Sequence, residues 1–195
     1  MPASVGYVRC PFCFVKTLNN PLMMKTENNA FPLAFRRATT EDIPLVQRLA
    51  EATFPVTYAQ ILTPQQSDYM MDWMYSTDSL RRQMLEEGHV FFIGQDVRGE
   101  AVGYVSVQPE SAELCHLQKL YVLPTCQGHG YGRALFEHAL DYARSLGAQR
   151  VELNVNRYNR AYDFYCRMGM KPLRSGDFEI GQGYYMNDYI MGITL

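Results

Sequence analysis

The sequence predicts a mixed α/β fold of the α+β type, with a mostly antiparallel sheet, one parallel strand pair and flanking helices. Three observations carry this. Two β-rich runs, His89–Gly94 and Ala101–Val107, are joined through Asp96-Val97-Arg98-Gly99-Glu100, whose turn chemistry favours an antiparallel hairpin. The apolar run Leu117-Gln118-Lys119-Leu120-Tyr121-Val122 leads through a glycine-rich turn into a helix-period segment. That helix lies between strands at about 117–122 and 151–155, so it is a crossover and the two strands should run parallel.

The elements follow in order. Leu33–Ala38 alternates as a first strand, and Thr39 with Asp42 supplies an N-cap and its reciprocal partner for a helix carrying Ile43, Val46, Leu49 and Ala50. The helix is expected to give way to a connection around Pro55. After a short connection, Pro64 begins a second helix through about Tyr75, and Thr77-Asp78-Ser79 caps a third that ends near Gly88. The hairpin comes next, and Glu113–Val122 extends it as a meander. In the crossover helix, Leu135, Ala139, Tyr142 and Leu146 form one buried face, and Gly147 closes it. Val151–Val155 is the strand after it, Asn159–Tyr165 opens a short helix ending at Gly169, and strands around Phe178–Ile180 and Tyr184–Ile193 form a closing hairpin.

A chain of 195 residues can bury one substantial core and is too short for two to be expected. We therefore expect one domain over 33–195 and an irregular extension over 1–30, with Met23 or Met24 as an alternative start. The net charge of −2, without a Lys/Arg run, points away from nucleic acid and anionic membrane surfaces and leaves a cationic substrate comfortable. With neither a membrane-length apolar run nor a signal-peptide pattern, the protein is expected in the cytoplasm. Five cysteines at irregular spacing fit a reducing compartment. Cys10-Pro11-Phe12-Cys13 is half of a zinc site without a nearby second half, so no metal is expected.

Gln127-Gly128-His129-Gly130-Tyr131-Gly132 has the makings of an anion cradle. Glycines allow close backbone approach, and the first N–H groups of a helix have no internal partners, so a pyrophosphate is the natural guest. Glycine-rich turns also close ordinary strand–helix connections. The downstream residues add a second pattern: Asn159, Ala161, Tyr165 and Gly169 follow the strand Val151–Val155. Together, over roughly Phe35 to Leu195, the arrangement resembles the GNAT superfamily of N-acetyltransferases, in which Q/R-x-x-G-x-G/A binds acetyl-CoA and N-x-x-A-x-x-x-Y-x-x-x-G follows; here the alanine stands in a slightly shifted place that many members use. The helical region and the ending Tyr185–Met191 also resemble the Pai-type spermine/spermidine acetyltransferases.

The resemblance implies that the parallel strands splay to admit the pantetheine arm against the backbone of Leu120, Tyr121 and Val122. The amides of Gln127, Gly128, His129, Gly130, Tyr131 and Gly132 would hold the pyrophosphate, with Asn159 also at the acetyl-CoA site. Tyr165 matches the tyrosine that commonly sits by the CoA sulfur, which makes it the candidate acid; packing alone would explain its spacing equally. His116 stands where several members carry a basic glutamate, and either a base or a hydrogen-bonded strand histidine fits it. Glu113 and Glu152 are back-up bases. Phe54, Tyr58 and Trp73 are expected to frame a primary amine, with Asp68, Asp72 and Asp188 for a second cationic group. A CoA-binding module without catalysis, an acetyltransferase for protein N-termini and a nucleotide-binding α/β domain are the other readings. The last lacks the Lys-Ser/Thr ending of a P-loop. Oligomeric state is left open, a homodimer being one option.

Overall fold

The computed structural model describes residues 33–195; the extension and Cys10-Pro11-Phe12-Cys13 lie outside the described residues. Seven strands form one sheet in the order β1-β2-β3-β4-β5-β7-β6: β1 Ala34–Arg37, β2 Val90–Gln95, β3 Ala101–Pro109, β4 Leu114–Val122, β5 Arg150–Asn156, β6 Lys171–Gly181 and β7 Tyr184–Thr194. Every neighbouring pair is antiparallel except β4 and β5, as the crossover argument requires. Among the described residues, five helices flank the sheet: α1 Ile43–Tyr58, α2 Pro64–Tyr75, α3 Thr77–Leu85, α4 Tyr131–Ser145 and α5 Ala161–Arg167.

Alternation along the strands sends side chains to two cores. One, beneath α4 and α5, gathers Val105, Cys115, Leu117, Leu135, Phe136, Val151, Leu153 and Met191. The other, beneath α1–α3, gathers Val46, Phe54, Leu80, Phe91, Ile93, Tyr104 and Met186. The local signals explain most of the element boundaries. The Thr39–Asp42 capping box forms, with the Thr39 amide donating to Asp42 at 2.9 Å. The β2–β3 turn is closed by Gly99 at φ +81° and by Asp96 Oδ1, which accepts from the amides of Arg98 and Glu100.

Four details differ from the sequence expectation. The first helix continues through Pro55 to Tyr58, because Phe54 is anchored in the core and the Thr53 and Thr57 hydroxyls donate to the Leu49 and Thr53 carbonyls. The third helix is capped by Ser76, without a side-chain bond. Leu146 falls beyond the last turn of α4 and is exposed, so the buried face of that helix is Leu135, Phe136, Ala139, Leu140 and Ala143. The closing hairpin is longer than its sequence signal, since β6 begins at Lys171; its exposed edge residues carry little apolar alternation to read.

Candidate active site

β4 and β5 pair only at Leu114–Arg150, Cys115–Val151 and His116–Glu152. Beyond that rung β4 runs on to Val122 against β3, and β5 runs on to Asn156 against β7, so their facing edges part. A bulge accompanies the parting: Ser106 of β3 opposes Lys119 while Val107 opposes Leu117, which leaves Gln118 extra on β4. The Leu123 amide donates to the Val102 carbonyl at 2.9 Å. Because alternate residues of an antiparallel ladder turn to the same neighbour, the backbone of Tyr121 faces β3 while that of Leu120 and Val122 faces the gap.

The gap opens into a cleft of about 1080 Å³. One end is the glycine turn. Gly128 and Gly130 both hold φ +82°, in the left-handed region that only glycine enters freely, and they turn the chain into α4. Gly130 is the N-cap and offers no side chain, so the first-turn amides of this 15-residue helix point into the cleft uncapped. α2, by contrast, is capped by the Thr63 hydroxyl. The Gln127 side chain donates to the Val122 carbonyl at 3.3 Å, tying the turn to the end of β4. The cleft's charged lining residues are Lys119, Arg133, Arg160 and Arg167, with no Asp or Glu among them, although the chain as a whole is acidic. Backbone donors, a helix dipole and arginines in one groove suit a polyanionic phosphate ligand.

Across the cleft lies α5. Asn159 starts it by accepting the Ala161 amide at 2.9 Å, and the helix buries Tyr165 against Phe136 and Phe164 while Tyr165 still lines the cleft. Burial, then the neighbouring Tyr58, pushes the Tyr165 phenol well up, so it stays protonated throughout the working range. Tyr58, at the end of α1, lines the same cleft and is raised by burial and then by Asp188; it interacts with Tyr121 and Asn159.

The structure therefore brings Leu120, Tyr121, Val122, Gln127, Gly128, Gly130, Tyr131, Gly132, Asn159, Tyr165 and Tyr58 together around one cleft. His116 sits on the last β4–β5 rung, its Nδ1 3.4 Å from Glu110, and burial lowers its pKa against the pull of that carboxylate. His129 is exposed in the glycine turn. Phe54 is core, Trp73 stacks half-exposed on Tyr69, and Asp68 and Asp72 are exposed on α2; none of the four lines the cleft. Glu113 is exposed, and Glu152 is buried but paired with Arg150 and Arg174. Sequence reasoning missed the cleft arginines Arg133, Arg160 and Arg167; their signal was position, beside the two motifs.

A sheet that splays one parallel pair beside an uncapped glycine-led helix is the arrangement that the sequence resemblance led one to expect. Residues 47–170 match the Acetyltransferase (GNAT) family, and the chain belongs to that family. It is 27% identical over 163 residues to the N-acetyltransferase YjgM of Escherichia coli, covering 79% of this chain and 90% of that protein. It is also 27% identical to the aminoalkylphosphonate N-acetyltransferase of Salmonella typhimurium, over 77% of this chain and 93% of that one. Among solved structures, the PaiA N-acetyltransferase of Thermoplasma acidophilum, in complex with coenzyme A, superposes with a TM-score of 0.70 at 21% identity, over 84% of this chain and 99% of that one. The protein is an acetyl-CoA-dependent N-acetyltransferase that acts on amines. No helix among the described residues is long and apolar enough to cross a membrane.

Proposed function

We propose that the enzyme acetylates a small primary amine, polyamines first, by direct attack of the amine on the thioester of acetyl-CoA. The observation that supports the reading is Tyr165, which lines one cleft together with the open edge of β4 and whose burial favours the protonated phenol. In this reading the pantetheine pairs with the backbone of Leu120 and Val122, while the Tyr121 ring shapes the floor. The amides from Gln127 to Gly132 take the pyrophosphate, and Arg133, Arg160 and Arg167 supply countercharge. Asn159 contributes by setting the start of α5 and hence the position of Tyr165.

The amine must lose a proton, and the departing thiolate must gain one. Tyr165 donates to the thiolate. His116, kept neutral near pH 7 by burial, accepts the ammonium proton through water at the closed end of the splay. Tyr58 supplies an aromatic wall that helps the neutral amine form. A free primary amine with a pKa of about 10 is mostly protonated at pH 7, so the rate should rise from about pH 7 to about pH 9.

The test is CoASH release with a panel of spermidine, simple monoamines, amino acids, aminoglycosides and peptides with free N-termini, the product confirmed by mass. Saturable acetylation of spermidine supports the reading. Turnover confined to peptide N-termini or to amino-acid α-amines contradicts it.

A further inference from the structure

The cleft's own lining carries no carboxylate, yet a polycationic acceptor needs one. Apart from the exposed Glu179 of β6, four carboxylates lie along the splayed strands or on the adjoining hairpin. Three have cationic partners: Glu152 is held by Arg150 at 3.0 Å and Arg174 at 3.2 Å, Glu110 meets His116 at 3.4 Å, and Asp177 meets Arg157 at 2.9 Å. Asp188 is the exception. It is 7% exposed on β7; its Oδ2 receives a long 3.4 Å bond from Asn154, the Asn156 side chain also acts on the carboxylate as a donor, and no hydrogen bond shorter than 3.5 Å reaches the buried Oδ1. Arg157 is the nearest cation to act on it, but that guanidinium donates to Gly176 and Asp177, and burial outweighs its influence on Asp188.

Burying a carboxylate that has only neutral amide donors and no cation bonded to it is costly, so the group points to a cation that arrives from outside. Asp188 neighbours the cleft residue Asn154 through that bond and lies near enough to the cleft residue Tyr58 to act on it electrostatically. Its position along the sheet fixes what kind of cation. The rung Asn156–Asp188 lies four residues along β5 from the rung His116–Glu152 where the strands part. At ~3.3 Å per residue that is about 13 Å, which an extended polyamine spans and a simple monoamine does not.

We propose that Asp188 is the docking group for the distal, non-reacting ammonium of a polyamine acceptor, with Asn154 and Tyr58 framing its mouth. The proposal rests on the polyamine reading above and makes Asp188 a specificity-determining residue rather than a catalytic one.

The experiment compares spermidine with n-butylamine on the full-length enzyme and on Asp188→Asn, measuring KM for each amine, KM for acetyl-CoA, Tm, and spermidine binding to the CoA-loaded protein by calorimetry. Expected is a ten- to hundredfold rise in KM for spermidine, little change for n-butylamine or acetyl-CoA, and a Tm that holds or rises. An unchanged spermidine KM, or equal losses on both amines with a lower Tm, overturns the site. Failure of the polyamine reading has a different signature, since the wild type then prefers monoamines or peptides to spermidine. In that event the cation site stands if spermidine binds the wild type and not Asp188→Asn, and it falls if the two bind alike or neither binds.

Discussion

His116 and Glu152 form the last rung shared by β4 and β5; one residue further the strands part, and the cleft opens between their freed edges. Closing the sheet at that rung keeps Leu117 and Leu153 in the core, while opening it beyond leaves strand backbone for a ligand to pair with.

Gly132→Val is the cleanest probe of the glycine turn. Gly128 and Gly130 need positive φ, so substitution there strains the backbone itself. Gly132 sits in the first turn of α4, where an added Cβ would make only ordinary contact, 3.8 Å from the Phe164 ring. A β-branched chain over the uncapped amides should weaken acetyl-CoA binding tenfold or more, about 1.4 kcal/mol, with Tm changed by only a few degrees. Calorimetry with acetyl-CoA checks it, and equal affinity in a folded variant would count against the cradle.

The glycine-turn side of the cleft was legible because its signals are local. Glycine turns, a strand before and a helix after, and Asn159 six residues ahead of Tyr165 all read within short windows. The proposed acceptor side was legible only in part: Tyr58 and Asp188 could be named as candidates, but Tyr58 from α1, Asn154 from β5 and Asp188 from β7 are distant segments whose grouping appears only once the sheet has formed. Aromatic and acidic residues on α2 looked equally suitable in sequence. Periodicity alone could not say that Trp73 would stack on Tyr69 and that Asp72 would lie outside the cleft lining. Pro55 misled for a related reason, since tertiary packing of Phe54 carried the helix past it.

His116→Ala should remove or shift the acidic limb of the pH–rate profile. Burial lowers the imidazole's pKa below its ordinary value of about 6.5, so in the wild type the loss caused by His116 protonation should set in below that pH, as a limb separate from the rise between about pH 7 and about pH 9 that follows amine deprotonation. An identical limb in the variant would leave His116 a structural partner of Glu110.

Acid stability should track His89. Burial, with Lys119 nearby, lowers its pKa to about 4 in the folded protein, against about 6.5 unfolded. Between those values the unfolded chain binds more protons, so stability is full above about pH 6.5 and declines as pH falls toward 4, by up to about 3 kcal/mol. Denaturant titrations across that window check this. His89→Gln should flatten the dependence, with the remainder carried by groups such as His138, which burial shifts in the same direction.

Tyr165→Phe keeps the ring packed against Phe136 and Phe164 and removes only the hydroxyl that faces the cleft. Its kcat, measured under saturating acetyl-CoA and amine beside the Kd for acetyl-CoA, tests most directly whether this cleft carries out the transfer. The account predicts a fall in kcat of about ten- to a thousandfold with Kd nearly unchanged, because the lost proton matters only as the thiolate departs. A kcat equal to that of the wild type would contradict it.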